Sequence, residues 1–384
     1  LLLAEQGLRV TVLDRARFPR PKICGEYLSP EAARVLDRLG VLKVVDASAM
    51  PLRGMRITAP DGTVITGSYR AIGDWRPYRQ HALAIPRMSF DAILVDRVRA
   101  SAVDLREDMR VDDVVMEDGR VVGVDARDAR SRAVRLRAPL VIAADGRASV
   151  VAQRLGCRRP HPLQRLAIVT HASGIADCRE FGEIFVDPPD YVILNPVGEN
   201  LVNVSLVVPL AHAAPHSAEL DRFLFARLRQ MPRVAARLAG GELVEPPRAM
   251  GPLAYRVAPP RAGGVLFVGD AAGFYDPFTG EGLFAALRGA ELAADTASRA
   301  LDAGDVSAPA LAAYAGARDR VFREKELLVR ALQMVIRRRV LANVTARFLL
   351  RRPAALDALM GVIGDFVPPR ALVRLLWSSV PAPA

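Results

Sequence analysis

The chain has 384 residues, of which 51% are hydrophobic, and a formal net charge of +11. This composition excludes a disordered protein, and the length predicts two domains with an extension. Much of the charge lies at the C-terminal end, where the residues from Arg318 onward include thirteen basic and five acidic side chains. The remaining body is close to neutral and has no basic platform interleaved with aromatic residues, so we expect no nucleic-acid partner.

The sequence has no apolar run of the roughly 18–20 residues needed to cross a bilayer, and no secretory signal is recognisable. Its three cysteines, Cys24, Cys157 and Cys178, lack the spacing of metal ligands. A small, odd number of cysteines suits a reducing compartment. We therefore expect a cytoplasmic protein without a metal site, and the oligomeric state stays open.

The N-terminal residues predict the end of an apolar helix and a short strand that ends at Asp14. In dinucleotide-binding proteins an acid at this place takes ribose hydroxyls, and a Gly-rich phosphate loop lies about 20 residues upstream. Since only thirteen residues precede Asp14, we expect that loop to lie before Leu1. A Pro-containing loop follows, and Ser29-Pro30 predicts the start of a helix.

The middle of the chain predicts an antiparallel sheet. Asp61-Gly62 and Asp118-Gly119 are typical hairpin turns, and four strand-like segments follow one another between residues 163 and 209. Short turns between successive strands favour antiparallel pairing, and we expect this sheet to form the roof of a substrate cavity. Before it, a buried strand ends at Asp145.

The most informative stretch is residues 263–287, in which an apolar run ends at Gly269-Asp270. Pro277 and then Gly280-Glu281-Gly282 precede a long Ala/Leu-rich segment. The pattern predicts a buried strand that delivers a carboxylate beside a helix N-terminus. The carboxylate can hold sugar hydroxyls, and the free N–H groups can hold an electron-rich ligand. A flavin enzyme, a passive nucleotide-binding module and a membrane-surface protein all fit this pattern.

These motifs resemble the second FAD motif of the aromatic-hydroxylase superfamily of FAD-dependent oxidoreductases, and most of all its geranylgeranyl-reductase-like branch. The loop after Asp14 resembles that branch's Phe-Pro-Arg-x-Lys-x-Cys-Gly motif. The resemblance implies that Asp270 binds the ribityl and pyrophosphate region of FAD and that the amides of Gly280, Glu281 and Gly282 face the isoalloxazine. It also implies cofactor-binding positions at Asp14, Arg20, Lys22, Cys24, Gly25, Arg87, Asp145, Gly269 and Pro277.

The resemblance implies an α/β fold in which a Rossmann-like FAD-binding domain is interrupted by an antiparallel β-sheet substrate domain. We expect the FAD-binding domain in residues 1–50, 82–160 and 250–300. The substrate domain is expected in residues 51–81 and 161–249, and a helical C-terminal region in residues 301–384.

The implied function is an FAD-dependent reductase or dehydrogenase of a lipophilic, polyprenyl- or polyketide-like molecule, with NAD(P)H or a protein as electron donor. The alternative is an FAD-dependent monooxygenase that hydroxylates an aromatic or polyketide-like substrate. A third possibility is a flavin-binding or membrane-surface protein without turnover. Ile193 stands where geranylgeranyl reductases have a Trp in a Tyr-x-Trp-x-x-Pro pattern, here residues 191–196.

The sequence identifies no catalytic side chain. The five histidines lack a motif, and we expect them to have ordinary surface or core roles. The flavin itself is then the expected reactive centre, with Cys24 and Gly25 near its isoalloxazine. The basic tail predicts amphipathic helices, which favours a subdomain that packs over the substrate opening. Peripheral contact with the inner membrane surface is the alternative.

Overall fold

The computed structural model describes residues 1–377, with side chains through residue 374. The helices are α1 (Leu2–Glu5), α2 (Pro30–Arg38), α3 (Leu42–Asp46), α4 (Arg87–Arg99), α5 (Val150–Arg154), α6 (Leu210–Ala213), α7 (Leu220–Arg229), α8 (Pro232–Arg237), α9 (Gly282–Asp302), α10 (Ala308–Ile336), α11 (Arg339–Leu350), α12 (Pro353–Ile363) and α13 (Pro369–Trp377).

The strands are β1 (Thr11–Leu13), β2 (Tyr27–Leu28), β3 (Met50–Leu52), β4 (Gly54–Thr58), β5 (Val64–Ser68), β6 (Ala82–Ala84), β7 (Asp104–Arg106), β8 (Arg110–Glu117), β9 (Arg120–Arg127), β10 (Ala133–Arg137), β11 (Val141–Ala143), β12 (Arg158–Pro160), β13 (Arg165–Ser173), β14 (Phe181–Asp187), β15 (Asp190–Gly198), β16 (Leu201–Pro209), β17 (Glu242–Leu243), β18 (Arg248–Met250), β19 (Tyr255–Val257), β20 (Val265–Phe267) and β21 (Gly273–Phe274).

The largest sheet has the strand order β17-β13-β16-β15-β14-β4-β5, and β18 also pairs with β13. Its pairings are antiparallel except that of β14 with β4. Because side chains alternate along a strand, each face of this sheet has its own core. One face packs against α6, α7 and α8 through residues such as Ile168 and Leu224. The other face packs against α10 to α13 through residues such as Val207 and Leu359.

Two pairs of short parallel strands form the second part of the fold. β1 pairs with β7, and β11 pairs with β20, and the two pairs are separate sheets in the described residues. Helices α2, α4 and α9 pack here in a core that includes Leu36, Phe90, Leu266 and Leu292. Three small antiparallel sheets complete the structure: β10-β9-β8, β12-β19-β21 and β2-β6-β3.

The predicted α/β fold class is confirmed, including the interruption of the parallel strands by the large sheet and the C-terminal helices. Turns and helix starts could be predicted from short sequence patterns because they depend on the conformation and hydrogen bonds of a few neighbouring residues. Asp118 and Gly119 both have positive φ, 49° and 74°, at the turn between β8 and β9. The Ser29 hydroxyl accepts from the Ala32 amide at the start of α2. The domain boundaries stay a prediction.

No helix within residues 1–377 is both long enough and apolar enough to cross a bilayer.

Candidate functional site

A cavity of about 2270 Å³ lies between the large sheet and the parallel strands. It exceeds the roughly 300–1,000 Å³ of a typical small-molecule site, so it has room for a dinucleotide together with a second molecule. Glu281 alone among the predicted residues does not line it. Those that do are Asp14, Arg20, Lys22, Cys24, Gly25, Arg87, Asp145, Gly269, Asp270, Pro277, Gly280 and Gly282.

Two strand-end acids face the cavity. Asp14 follows β1, accepts from the Ala16 amide at 2.9 Å and pairs with the Arg20 guanidinium at 3.3 Å. Asp270 follows β20, and its carboxylate makes no hydrogen bond or ion pair with any side chain that the structure describes. Asp270 is therefore available to accept from ligand hydroxyls. Asp145 is different, because its carboxylate accepts from the Val150 amide at 2.7 Å and supports the start of α5.

The loop of residues 24–26 is held against the large sheet by a polar row of three side chains on adjacent strands. His171, Asn203 and Asn195 stand opposite one another across β13, β16 and β15. Asn195 Nδ2 donates to the Gly25 carbonyl at 2.7 Å. Asn203 Nδ2 donates to the Cys24 carbonyl at 2.9 Å. The polar row therefore fixes the backbone that faces the cavity.

Glu26 completes this attachment. It is 3% exposed and has a φ of 58°. Its carboxylate accepts from the Arg87 amide at 2.7 Å and lies 2.7 Å from His171 Nε2. The other His171 nitrogen lies 2.6 Å from Glu245. Burial lowers the pKa of His171, but Glu26 and Glu245 outweigh burial and raise it.

The Cys24 thiol has a basic neighbour. Its Sγ accepts from the Glu26 amide at 3.3 Å, and the Arg87 guanidinium lies beside it. Arg87 is buried and bonds Asp91 through two of its nitrogens. Burial disfavours the charge on Arg87, but Cys24 and Asp91 raise its pKa overall. Because Nε and Nη2 of Arg87 are bonded to Asp91, the ligand contact predicted for Arg87 would depend on its remaining nitrogen.

The turn before α9 requires glycine at Gly280. Its φ is 67°, and an added Cβ would lie 2.5 Å from Tyr27 Cδ1. Tyr27 is buried, and its hydroxyl lies 2.7 Å from that of Tyr69. Gly282 begins α9, a 21-residue helix whose N-terminal amides favour negative charge. This part of the cavity wall therefore suits the electron-rich edge of a flat ring.

The Glu281 side chain is directed away from the cavity, toward Lys325 and Asp365, which form a buried ion pair with each other. Burial raises the pKa of Glu281 to about 7, with Lys325 opposing the shift and Asp365 adding to it. The backbone amide, the part of Glu281 to which the prediction gave a role, remains at the turn before α9.

Sequence reasoning missed Glu26, Asn195, Asn203 and the position of His171. His171, for which the sequence predicted an ordinary surface or core role, lies between two carboxylates. Polar residues within otherwise apolar strands, such as His171, Asn195 and Asn203, are a signal that could have suggested these contacts. Only the pairing register of the sheet shows that the three side chains lie side by side.

The cavity fits FAD on several observations. A Cβ added to Gly25 would meet nothing within 4 Å, so the loop offers an open cradle for a flat group. Arg20 Nε and Asn195 Oδ1 are buried without a hydrogen-bond partner among the described residues. With the carboxylate of Asp270, the cavity supplies donors and acceptors that a dinucleotide would satisfy.

Two curated proteins resemble the chain over most of its length. The chain is 26% identical over 332 residues to conditioned medium factor receptor 1 of Dictyostelium discoideum. The match covers 81% of this chain but only 63% of the length of that relative. It is 30% identical over 325 residues to the digeranylgeranylglycerophospholipid reductase of Methanothrix thermoacetophila, covering 81% and 77% of the two chains.

Among solved structures, the flavin-dependent halogenase CmlS has the same fold, with a TM-score of 0.82 at 21% identity over 97% of this chain and 73% of CmlS. The family described as FAD binding domain matches residues 1–324. As the sequence predicted, the chain belongs to this family of FAD-dependent oxidoreductases.

Proposed function

We propose that the protein is a reductase or dehydrogenase of a lipophilic molecule, polyprenyl- or polyketide-like, with NAD(P)H or a protein as electron donor. Reduction adds a hydride and a proton across a carbon–carbon double bond, and the donor supplies the electron pair. Bound FAD supplies the hydride chemistry, and the protein binds, orients and shields the reactants.

The observation that carries this proposal is an apolar wall that lies next to the polar row, on the same face of the large sheet. Ala167, Val169, Ile193 and Val207 line the cavity from one face of the large sheet. Such a wall suits an alkyl or prenyl chain, because burying apolar surface contributes about 25 cal/mol per Å². The similarity to a digeranylgeranylglycerophospholipid reductase supports the same substrate class.

The protein's own groups define what happens around the cofactor. Asp270 and Asp14 orient hydroxyls, and the α9 N-terminus favours negative charge on the reduced ring. The apolar wall excludes water from the space beside Gly25, which protects a hydride donor from side reactions.

Product analysis tests the proposal. The full-length protein, reduced without oxygen, is mixed with a geranylgeranyl lipid, and the product mass is measured. A gain of two hydrogens supports the reductase. A product formed only with oxygen, and containing one oxygen atom more, would establish the monooxygenase instead.

A paired variant locates the substrate. Ile193→Thr places a hydroxyl on the apolar wall and should raise KM for the lipid while FAD content is unchanged. Val64→Thr is the control, since Val64 is 43% exposed on β5 and lies outside the cavity lining. Equal KM values for both variants would argue against the wall as the substrate site.

A further inference from the structure

Helix α11 has apolar residues on two sides. Ala342 and Leu349 are buried in the core beneath the large sheet, and Ala346 is buried as well. Val340 and Val344 are 72% and 57% exposed, at a spacing that puts them on one side of the helix. The apolar side chains on this second side therefore remain largely exposed in the part of the chain that the structure describes.

This exposed side, which we call the α11 surface, consists of Val340, Leu341, Val344 and Phe348. Leu341 and Phe348 are each 39% exposed. On the preceding helix, Leu327 and Met334 are also exposed, by 53% and 65%. Clustered apolar exposure of this kind, rimmed by polar residues, marks a binding surface more often than an ordinary protein surface.

The chain segment that contains the α11 surface carries charged residues of one sign only. Residues 327–352 contain seven arginines and neither Asp nor Glu. Arg330, Arg339 and Arg347 pair with acids elsewhere in the chain. Arg337, Arg338 and Arg351 have no acidic partner within residues 1–377. The surface thus combines apolar side chains with unneutralised positive charge.

We propose that the α11 surface binds an anionic membrane surface. Apolar side chains on one side of a helix enter the boundary between headgroups and acyl chains, and flanking arginines attract anionic lipids. A second copy of the chain fits less well, because a symmetric contact through this surface would bring arginines against arginines. The proposal is independent of the reaction that the cavity performs.

Vesicle sedimentation tests the proposal. Full-length protein is incubated with vesicles of phosphatidylcholine alone or mixed with phosphatidylglycerol. We expect binding to the mixed vesicles, weakened by salt. The double variant Arg337→Gln/Arg338→Gln should bind about 30-fold more weakly, since each arginine contributes about 1 kcal/mol near an anionic surface. The charge-matched control, Arg130→Gln/Arg229→Gln, alters exposed arginines elsewhere and should bind like wild type.

A second pair of variants tests the apolar part. Phe348→Asp should weaken binding about tenfold or more. Phe225→Asp on α7 is the control, because Phe225 is 41% exposed and so matches Phe348. Val340→Asp repeats the test at a side chain that makes little packing contact. Equal binding by Phe348→Asp, Val340→Asp and Phe225→Asp would overturn the proposal. So would a failure of wild type to bind mixed vesicles, or a protein dimer in solution that Val340→Asp dissociates.

Discussion

Replacing Glu281 with glutamine should make the protein more stable at neutral and higher pH. The pKa of this carboxyl is raised from 4.5 to about 7, first by burial, with Asp365 and Glu326 adding to the shift and Lys325 and Arg318 opposing it. A raised carboxyl pKa means that the folded state holds a proton that the unfolded chain releases. Stability is therefore fully present below pH 4.5 and is lost as the pH rises to about 7.

The size of the effect follows from the shift. From 4.5 to about 7, at about 1.4 kcal/mol for each pH unit, the loss is at most about 3.5 kcal/mol. Glutamine has no proton to lose, and Lys325 keeps its partner Asp365. The free energy of unfolding of Glu281→Gln, relative to wild type, should rise by up to that amount across this range.

Denaturant unfolding at several pH values between about 4.5 and about 8 measures this difference. Glu242→Gln, at an exposed side chain on β17, is the control with which the Glu281→Gln difference is compared at each pH. If the Glu281→Gln difference were constant with pH, the carboxyl would not titrate with a raised pKa and the reasoning would be refuted.

Three further substitutions test the cavity wall and the polar row that holds the loop of residues 24–26. Gly280→Ala should lower the free energy of unfolding by about 2–5 kcal/mol, because φ at this position is positive and the added Cβ would clash with Tyr27. Gly282→Ala is the control and should change stability little, since its Cβ would lie 3.7 Å from its nearest neighbour. Equal shifts in the melting temperatures of the two variants would contradict this prediction. Gly25→Val should leave the melting temperature of the apoprotein unchanged but abolish FAD binding by titration, and normal binding would show that the loop does not contact the ring. His171→Gln should cost most stability below pH 6.5, and the cost should shrink as the pH rises through the raised histidine pKa; a cost that grows with pH in denaturant unfolding would contradict this sign.

The sequence predicts those parts of the site that depend on local chemistry. Asp14 and Asp270 follow apolar runs, so their positions at strand ends are readable from a few neighbouring residues. The attachment of Glu26 to His171 joins residues 145 positions apart, and it depends on a sheet register that no local pattern contains. Hairpin turns are predictable for the same reason that the acids are, because the backbone conformation is decided by the residues in the turn.

The direction in which a side chain points is the other feature that the sequence does not predict. The Gly280-Glu281-Gly282 pattern predicts a turn of amides, and only packing against α10 shows that the Glu281 carboxyl lies beside Lys325. The tail illustrates the same limit. Its amphipathic pattern predicts helices, but the exposure of Val340 beside a buried Ala342 follows from where α11 rests on the core.

The most direct test of the account is an FAD titration of the full-length apoprotein and its Asp270→Ala variant, followed by flavin fluorescence, with Asp295→Ala on the exposed side of α9 as control. The Asp270 carboxylate lines the cavity and makes no hydrogen bond or ion pair with the side chains that the structure describes, so its removal should leave the fold intact. The account predicts saturable binding by wild type and control and no tight binding by Asp270→Ala at an unchanged melting temperature. Wild-type affinity in Asp270→Ala would contradict the assignment of this cavity to FAD.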